Sequence, residues 1–363
     1  MATSRRKFFK AAGALAALSP LHISGGFPKT ASIAIDANIE LCLAYFFGIQ
    51  QRKFALSKQM GVTGVVSPSK PGMAGLPQEK PWTIEALKAV KEVYHQNGLQ
   101  WKVLEGTPPL DKTKLGIHGR EEEIDHFIIL MKNMQEVGLD IICHNWMPVI
   151  SWARTDFERK GRGGALVTAF DVEAVKDLPM TEYGEVTEEM MWNNMEYFLK
   201  AVIPEAEKYG IRLALHPDDP PVPKIRGIAR IMRNADAFKK LFDLYPSPSN
   251  GLTLCQGTFA TMGEDIPSVI RYFGERDKIF FVHFRDIRGD RWNFEETFHD
   301  EGKTDMYQAM KTYYDVGFKG PMRPDHVPTV AGDSNEHPGY SELGTLFAIG
   351  YIKGLMEAVE KNG

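Results

Sequence analysis

The sequence of 363 residues predicts an α/β fold, a (β/α)8 barrel with elaborated loops at the C-terminal face of its sheet. Eight short apolar segments recur along the chain, helical patterns alternate with them, and polar side chains gather where most of these segments end. The alternative is an open, doubly wound sheet. Its dinucleotide-binding form is disfavoured because no Gly-x-Gly-x-x-Gly motif follows the first segment.

The eight predicted strands are short and mostly rich in Val, Ile, Leu or Phe, with Gly, Pro or Asn at their ends. They are residues 39–47, 62–67, 100–106, 140–145, 211–216, 251–256, 279–286 and 320–326. Continuous apolar segments of this kind are typical of parallel strands that are buried on both faces. The eighth segment is the least apolar of the set.

Apolar residues at helical spacing predict helices between several of these strands. One helix begins after Thr83, a suitable N-cap, and ends at Gly98, and another ends at Gly138. The predicted helices are residues 84–94, 124–134, 188–209 and 306–314.

Two segments are longer than a barrel requires, residues 147–185 and residues 286–305. Each follows a predicted strand, so we expect both at the C-terminal face, where barrel enzymes place their substrate loops. The pattern contains no internal repeat and no sign of a second domain. Residues 31–363 are therefore predicted to form a single catalytic domain.

The first 30 residues have the layout of an export signal. Arg5 and Arg6 stand in a short basic segment, and residues 11–23 contain no Asp, Glu, Lys or Arg. This arrangement is typical of a twin-arginine signal and predicts export to the periplasm. A mitochondrial-type or merely basic N-terminus is the alternative. No cysteine closely follows the apolar stretch, so no stable membrane anchor is expected after removal of the signal.

The composition is that of an ordinary soluble globular protein, with 43% hydrophobic and 25% charged residues. The net charge of −4 gives no basic excess, so no nucleic-acid partner is expected. The chain has three cysteines, which are too few for a disulfide framework.

Four residues at the ends of predicted strands five to eight form a candidate metal site. They are His216, Cys255, His283 and Asp325. In a barrel the strand ends converge on one mouth, so these residues can meet although they are far apart in sequence. Two imidazoles, a thiolate and a carboxylate suit a divalent transition ion such as Mn2+, Fe2+ or Zn2+. Taken singly, a buried Cys or His is more often structural, and Cys42 and Cys143 are interpreted in that way.

Several motifs over residues 40–360 resemble those of the mannonate dehydratase family. They are His216-Pro-Asp-Asp-Pro-Pro221, Cys255-Gln-Gly257, His283-Phe-Arg285, Asp305-Met306, Gly317-Phe318, Arg323-Pro-Asp-His326, Cys143-His-Asn-Trp-Met-Pro-Val149, Trp152-Ala-Arg-Thr-Asp156, Pro338-Gly-Tyr340 and Leu343-Gly344. The combination is specific, whereas any one of these motifs alone would not be.

The resemblance implies a metal-dependent barrel related to the xylose-isomerase-like enzymes. The family dehydrates D-mannonate to 2-keto-3-deoxy-D-gluconate, usually with Mn2+, and its members often assemble from identical subunits. The family's ligand positions match the four residues of the candidate metal site. Its acid/base residues match His326 and Tyr340, but the sequence does not decide which is the acid and which is the base.

Further polar residues at the predicted mouth are candidates for holding a small sugar acid. Arg285 can pair with a substrate carboxylate, although a salt bridge at the barrel rim is the alternative. The candidate substrate-binding residues are Glu105, Asn145, Arg154 and Asp219.

The chain departs from the family pattern at three places. The end of the first predicted strand reads Ala44-Tyr45-Phe46-Phe47-Gly48, where the family usually has an Arg-Trp-Tyr-Gly-like sequence. Val327 and Pro328 replace a Gly-Arg pair, and His144 stands where the family has Tyr. These changes point to a related aldonic acid as an alternative substrate. A sugar isomerase or epimerase, or a non-catalytic sugar-acid-binding protein, are the alternative functions.

Overall fold

Eight parallel strands close into a barrel in the computed structural model, which describes residues 37–362. The strands are β1 (Asn38–Ala44), β2 (Gly64–Ser67), β3 (Gln100–Glu105), β4 (Ile141–Asn145), β5 (Arg212–His216), β6 (Asn250–Cys255), β7 (Ile279–Phe284) and β8 (Lys319–Pro324). Each strand pairs with the next one along the chain, and β8 pairs with β1. The predicted (β/α)8 barrel is confirmed.

Three strands end two or three residues earlier than the apolar pattern predicted. They end at Ala44, Phe284 and Pro324 rather than at residues 47, 286 and 326. In β8 the reason is local, because His326 has a φ of 45°, which lies outside the β region. The residues that follow these strands leave the hydrogen-bonded ladder at the mouth of the barrel.

The α-helices of the described region surround the barrel. They are α1 (Gln51–Gln59), α2 (Ile84–Gln96), α3 (Asp111–Leu115), α4 (Arg120–Val137), α5 (Glu188–Tyr209), α6 (Ala235–Leu244), α7 (Gln256–Met262), α8 (Ile266–Gly274), α9 (Met306–Asp315) and α10 (Glu342–Asn362). The four predicted helices are confirmed as α2, α4, α5 and α9. Thr83 caps α2 by accepting a hydrogen bond from the Ala86 amide, and Gly138 ends α4 with a φ of 70°.

The apolar core has two parts. The larger part lies between the strands and the helices. The smaller part consists only of strand residues, and it includes Cys42 and Cys143 together with Phe280 and Phe281. Both cysteines are buried free thiols there. Cys143 also lies close to Glu105 and His283 at the carboxyl end of the barrel, so its structural role stays a prediction.

The two long segments at the C-terminal face meet in one four-stranded antiparallel sheet, called the loop sheet below. Its strands, in spatial order, are Ile287–Gly289, Asn293–Glu296, Leu166–Asp171 and Asp156–Lys160. Short 3-10 turns at Pro71–Ala74, Arg162–Gly164 and Val172–Ala174, and paired strands Lys224–Ile225 and Ile228–Ala229, complete the connections. Both segments lie at the predicted face of the barrel, but their pairing with each other was not predicted.

The predicted export signal, residues 1–30, lies outside the described residues and stays a prediction. Within residues 37–362, no helix combines the length and the apolar character needed to cross a membrane.

The packing of β6 against β7 leads to a stability prediction. A Cβ on Gly251 would lie 2.3 Å from the Phe280 ring, so Gly251→Ala should lower the free energy of unfolding by about 1–3 kcal/mol. Gly350→Ala is the matched control, because no atom lies within 4 Å of its Cβ position in α10. The control should be neutral or slightly stabilising. Urea unfolding measures both, and equal effects would contradict this description of the packing.

Candidate active site

The carboxyl ends of the barrel strands surround a cavity of ≈ 310 Å³. Most of the candidate residues from the sequence line it. These are Glu105, Asn145, His216, Asp219, His283, Asp325, His326 and Tyr340. The other three, Arg154, Cys255 and Arg285, are buried and are not among the lining residues. The expected convergence of the strand ends on one mouth is therefore observed.

Three of the four candidate metal ligands lie side by side. His216 and Cys255 are the last residues of β5 and β6, and His283 is the next-to-last residue of β7. The register pairs Cys255 with His283. One donor atom from each residue lies within 4.8 Å of the other two, so one ion can contact all three.

The ring nitrogens of the two histidines suit metal binding. Nδ1 of His216 lies 2.6 Å from the Pro217 carbonyl oxygen, so it carries the proton and leaves Nε2 with a free lone pair. Nε2 of His283 is buried and forms no hydrogen bond with the described residues. An orphaned buried nitrogen is costly unless a ligand occupies it. These donors therefore fit a divalent transition ion.

The Cys255 thiol lies in a positive environment. Its Sγ accepts hydrogen bonds from Arg285 Nε at 3.3 Å and from Thr258 Oγ1 at 3.2 Å. Burial alone would raise the pKa of Cys255, but the Arg285 guanidinium and His283 lower it below its ordinary value. Because the thiolate is the form that binds metals, the local charge prepares Cys255 for that role.

Two carboxylates flank the ring of His283. Asp325 Oδ2 lies 3.6 Å from Nδ1, and Glu105 Oε1 lies 3.4 Å from Nε2. Arg323 binds both, with Nη1 2.6 Å from Asp325 Oδ1 and Nη2 2.9 Å from Glu105 Oε1. Burial opposes ionisation of Glu105, but Arg323 and His283 bring its pKa down to about 2. Burial likewise opposes ionisation of Asp325, yet Arg323 and the neighbouring histidines hold its pKa well below its usual range.

Asp325 thus lies beside the other three candidate ligands rather than among them. Its two oxygens are bound by arginine side chains, since Arg285 Nε is 3.2 Å from Oδ2. Glu105, a candidate for substrate binding, is held by Arg323 against His283. Glu105 therefore lies on the Nε2 side of the ring, where an ion would bind, whereas Asp325 lies on the Nδ1 side, the usual place of a carboxylate partner of a metal-binding imidazole.

His326 and Tyr340 lie next to this cluster and face the same cavity. His326 Nε2 is 3.3 Å from Asp325 Oδ2, and the Tyr340 hydroxyl donates to Asp325 Oδ1 at 3.2 Å. The His326 ring stacks on Trp152, with centroids 5.1 Å apart and planes 7° apart. Burial holds the pKa of His326 well below its ordinary value and raises the pKa of Tyr340 well above its own.

A buried network of two arginines and two carboxylates lies next to the candidate site residues. Arg154 Nη1 donates to Asp219 Oδ1 at 2.6 Å, and its Nη2 donates to Glu296 Oε1 at 2.5 Å. Arg285 Nη2 donates to Asp219 Oδ2 at 2.8 Å, and its Nη1 donates to Glu296 Oε2 at 2.7 Å. The charges balance within the protein. This arrangement favours the salt-bridge interpretation of Arg285 over direct pairing with a substrate carboxylate.

Comparisons with known proteins agree with this geometry. The chain matches the family model for D-mannonate dehydratase (UxuA) over residues 40–183 and 178–363. The chain belongs to the mannonate dehydratase family. A mannonate dehydratase from Streptococcus uberis is 36% identical over an alignment of 313 residues, which covers 79% of this chain and 89% of that relative. Proteins of this name are hydro-lyases.

Solved structures show the same relationship. The crystal structure of mannonate dehydratase from Streptococcus suis serotype 2 is similar with a TM-score of 0.81 and 29% identity, covering 90% of this chain and 95% of that one. A xylose isomerase domain protein from Alicyclobacillus acidocaldarius has a TM-score of 0.56 and 14% identity, covering 89% and 99% of the two chains. The second likeness is one of fold alone, and it agrees with the expected xylose-isomerase-like barrel.

A buried cation lies at the end of β1. Ala44 is the last residue of this strand, and its carbonyl oxygen accepts a hydrogen bond from Lys53 Nζ at 2.8 Å. Lys53 comes from α1 and is buried. A cation from another element therefore lies beside this strand end.

Arg323, Trp152 and Glu296 contact the candidate residues but were not themselves predicted as site residues. Arg323 appeared only within a motif, although its place two residues before Asp325 on β8 puts both side chains at the mouth. Trp152 likewise appeared only within a motif. Its stacking on His326 joins residues that are far apart in the chain, so their spacing in the sequence does not predict it. Glu296 depends on the loop sheet, whose pairing was not predicted.

The buried network leads to a second stability prediction. Glu296→Gln leaves Arg154 and Arg285 short of one negative charge in a buried setting, and should lower the free energy of unfolding by about 3–5 kcal/mol. Glu295→Gln is the matched control, because Glu295 pairs with Arg288 at the surface and its loss should cost less than about 1 kcal/mol. Urea unfolding compares them. A mild effect at both positions would show that the network does not hold the site together.

Proposed function

We propose that this chain is a metal-dependent hydro-lyase that converts D-mannonate, or a closely related aldonic acid, to 2-keto-3-deoxy-D-gluconate and water. The observation that carries the proposal is the position of His216, Cys255 and His283 beside His326 and Tyr340 around one cavity. Membership of the mannonate dehydratase family supports the reaction class.

The reaction removes the proton next to a carboxylate and expels a hydroxyl from the following carbon. A divalent ion held by His216, Cys255 and His283, with Asp325 beside these ligands, would act as a Lewis acid for the substrate carboxylate. Mn2+ is proposed from the family, with Fe2+ and Zn2+ as alternatives.

His326 and Tyr340 are proposed to handle the two protons, one each. Proton transfer requires a side chain within hydrogen-bond reach of the reacting atom, and both residues line the cavity. The Tyr340 hydroxyl carries a proton in this arrangement, because it donates to Asp325. Trp152 and Tyr340 flank the ring of His326, with the Tyr340 ring centroid 5.5 Å away, which keeps the imidazole in place.

The cavity supports a single sugar acid as substrate. Its volume of ≈ 310 Å³ is close to the lower end of ligand sites, which is about 300 Å³. Its wall offers the Asn145 amide as a hydrogen-bond donor, which suits the hydroxyl and carboxylate oxygens of an aldonic acid.

A panel of aldonic acids tests the proposal with the Mn2+-loaded protein. D-mannonate, or a close stereoisomer, should yield a 2-keto-3-deoxy acid, detected by a keto-acid assay and by mass spectrometry of the product. A product of unchanged mass would favour the isomerase or epimerase alternative. Bound metal without turnover of any aldonic acid would contradict the proposal and favour a binding protein.

A pair of histidine variants serves as the control for this assay. His326→Asn should lower kcat by about 100-fold or more, as expected for loss of a general acid or base. His95→Asn, on the exposed face of α2, should leave kcat unchanged. Metal content and unfolding should match the wild type in both variants. Near-normal turnover of His326→Asn would remove His326 from the catalytic pair.

A further inference from the structure

Lys114 is a buried charge that the proposed mechanism does not use. It lies in α3, and only 6% of its surface is exposed. Lysine is almost never buried to this degree without a specific partner. Its Nζ lies 3.2 Å from Oδ1 of Asn145, the last residue of β4, which lines the cavity.

The position of Lys114 is fixed by its own backbone. Its carbonyl oxygen accepts a hydrogen bond from Asn194 Nδ2 of α5 at 2.9 Å, and its amide donates to Leu110 at 2.9 Å. A Cβ on Gly116 would collide with Asn194, so α3 approaches α5 closely at this point. The ammonium group therefore reaches Asn145 from a fixed site.

The hydrogen bonds of Asn145 determine which way its amide points. Oδ1 accepts from Lys114 Nζ at 3.2 Å and from the Met147 amide at 3.0 Å. A side-chain carbonyl has two lone pairs, so both are used. Reversing the amide would place its NH2 group against two donors. The two donors therefore decide which end of the Asn145 amide is the oxygen, an assignment that the similar shapes of the oxygen and the NH2 group would otherwise leave open.

Burial and nearby carboxylates have opposite effects on the pKa of Lys114. Burial is the main influence and lowers the pKa of Lys114 to about 8, while the carboxylates of Asp111, Asp218 and Glu123 act in the opposite direction. Lys114 is therefore mostly an ammonium at pH 7, which donates hydrogen bonds and accepts none.

The geometry points to Lys114 as a positioning residue that holds the Asn145 amide so that its NH2 group donates to an oxygen of the bound sugar acid. This inference rests on the proposed function for the identity of the ligand. A hydroxyl or carboxylate oxygen can accept from this group. An analogue that lacks the oxygen would leave a donor without a partner, so Lys114 and Asn145 together contribute to specificity.

A double-mutant cycle tests whether Lys114 acts through Asn145. D-mannonate binding is measured by calorimetry on Mn2+-loaded proteins that also carry His326→Asn, so that the ligand is not consumed. Lys114→Met and Asn145→Ala should each weaken binding about tenfold, the value of one hydrogen bond. The double variant should bind no more weakly than Asn145→Ala alone. Multiplied effects, near 100-fold, would overturn the inference.

Kinetics in the catalytically intact protein give a second readout. Lys114→Met should raise KM while changing kcat by less than about twofold, because its effect is on ground-state binding. Lys112→Met, an exposed position in the same helix, is the matched control and should change neither value. A fall in kcat with KM unchanged would contradict a positioning role in substrate binding.

Asn145→Asp keeps the inference testable if Lys114→Met does not fold. One carboxylate oxygen can remain on Lys114 and Met147, and the other then presents a negative acceptor to the substrate anion. Binding should be weaker than in Asn145→Ala, and wild-type affinity would overturn the inference.

Binding without dehydration by the protein with His326 intact would refute only the proposed function. Absence of D-mannonate binding by the Mn2+-loaded protein would overturn both.

Discussion

The guanidinium of Arg285 connects the elements that form the mouth of the barrel. Its Nε lies 3.3 Å from Cys255 Sγ and 3.2 Å from Asp325 Oδ2, and its Nη2 lies 2.8 Å from Asp219 Oδ2. One buried cation thus touches residues from the ends of β6, β8 and β5. It also explains the glycine of the Cys-Gln-Gly motif, since a Cβ on Gly257 would lie 2.4 Å from Arg285 Nη1. The position of the Cys255 thiol and its lowered pKa depend on this charge.

Much of this architecture could be predicted from the sequence, because it follows from the alternation of strands with helices and from the order of the strands in a barrel. Buried parallel strands are apolar throughout, and a barrel brings their carboxyl ends to one place, so His216, Cys255 and His283 could be expected to meet. Helix ends were readable for a similar reason, since Thr83 and Gly138 carry local signals that need no tertiary contact.

The remaining features depend on pairings between distant residues. Glu296 reaches Arg285 and Arg154 only because two loops pair into one sheet, and the sequence pattern does not specify this register. The sequence left two roles open for Arg285, pairing with a substrate carboxylate or forming a salt bridge within the protein. The buried carboxylates that bind its guanidinium favour the salt bridge. The His144 ring packs near Phe127 of α4 and Phe198 of α5, contacts between distant segments that the sequence pattern does not specify.

The central claim is that His216, Cys255 and His283 hold one divalent ion at the mouth of the barrel. X-ray absorption spectroscopy of the Zn2+-loaded protein tests it most directly, because sulfur and nitrogen ligands differ in distance. We expect one sulfur at about 2.3 Å together with nitrogen or oxygen ligands at about 2.0–2.2 Å. The sulfur contribution should vanish in Cys255→Ser. A shell of nitrogen and oxygen ligands alone in the wild type would contradict the account.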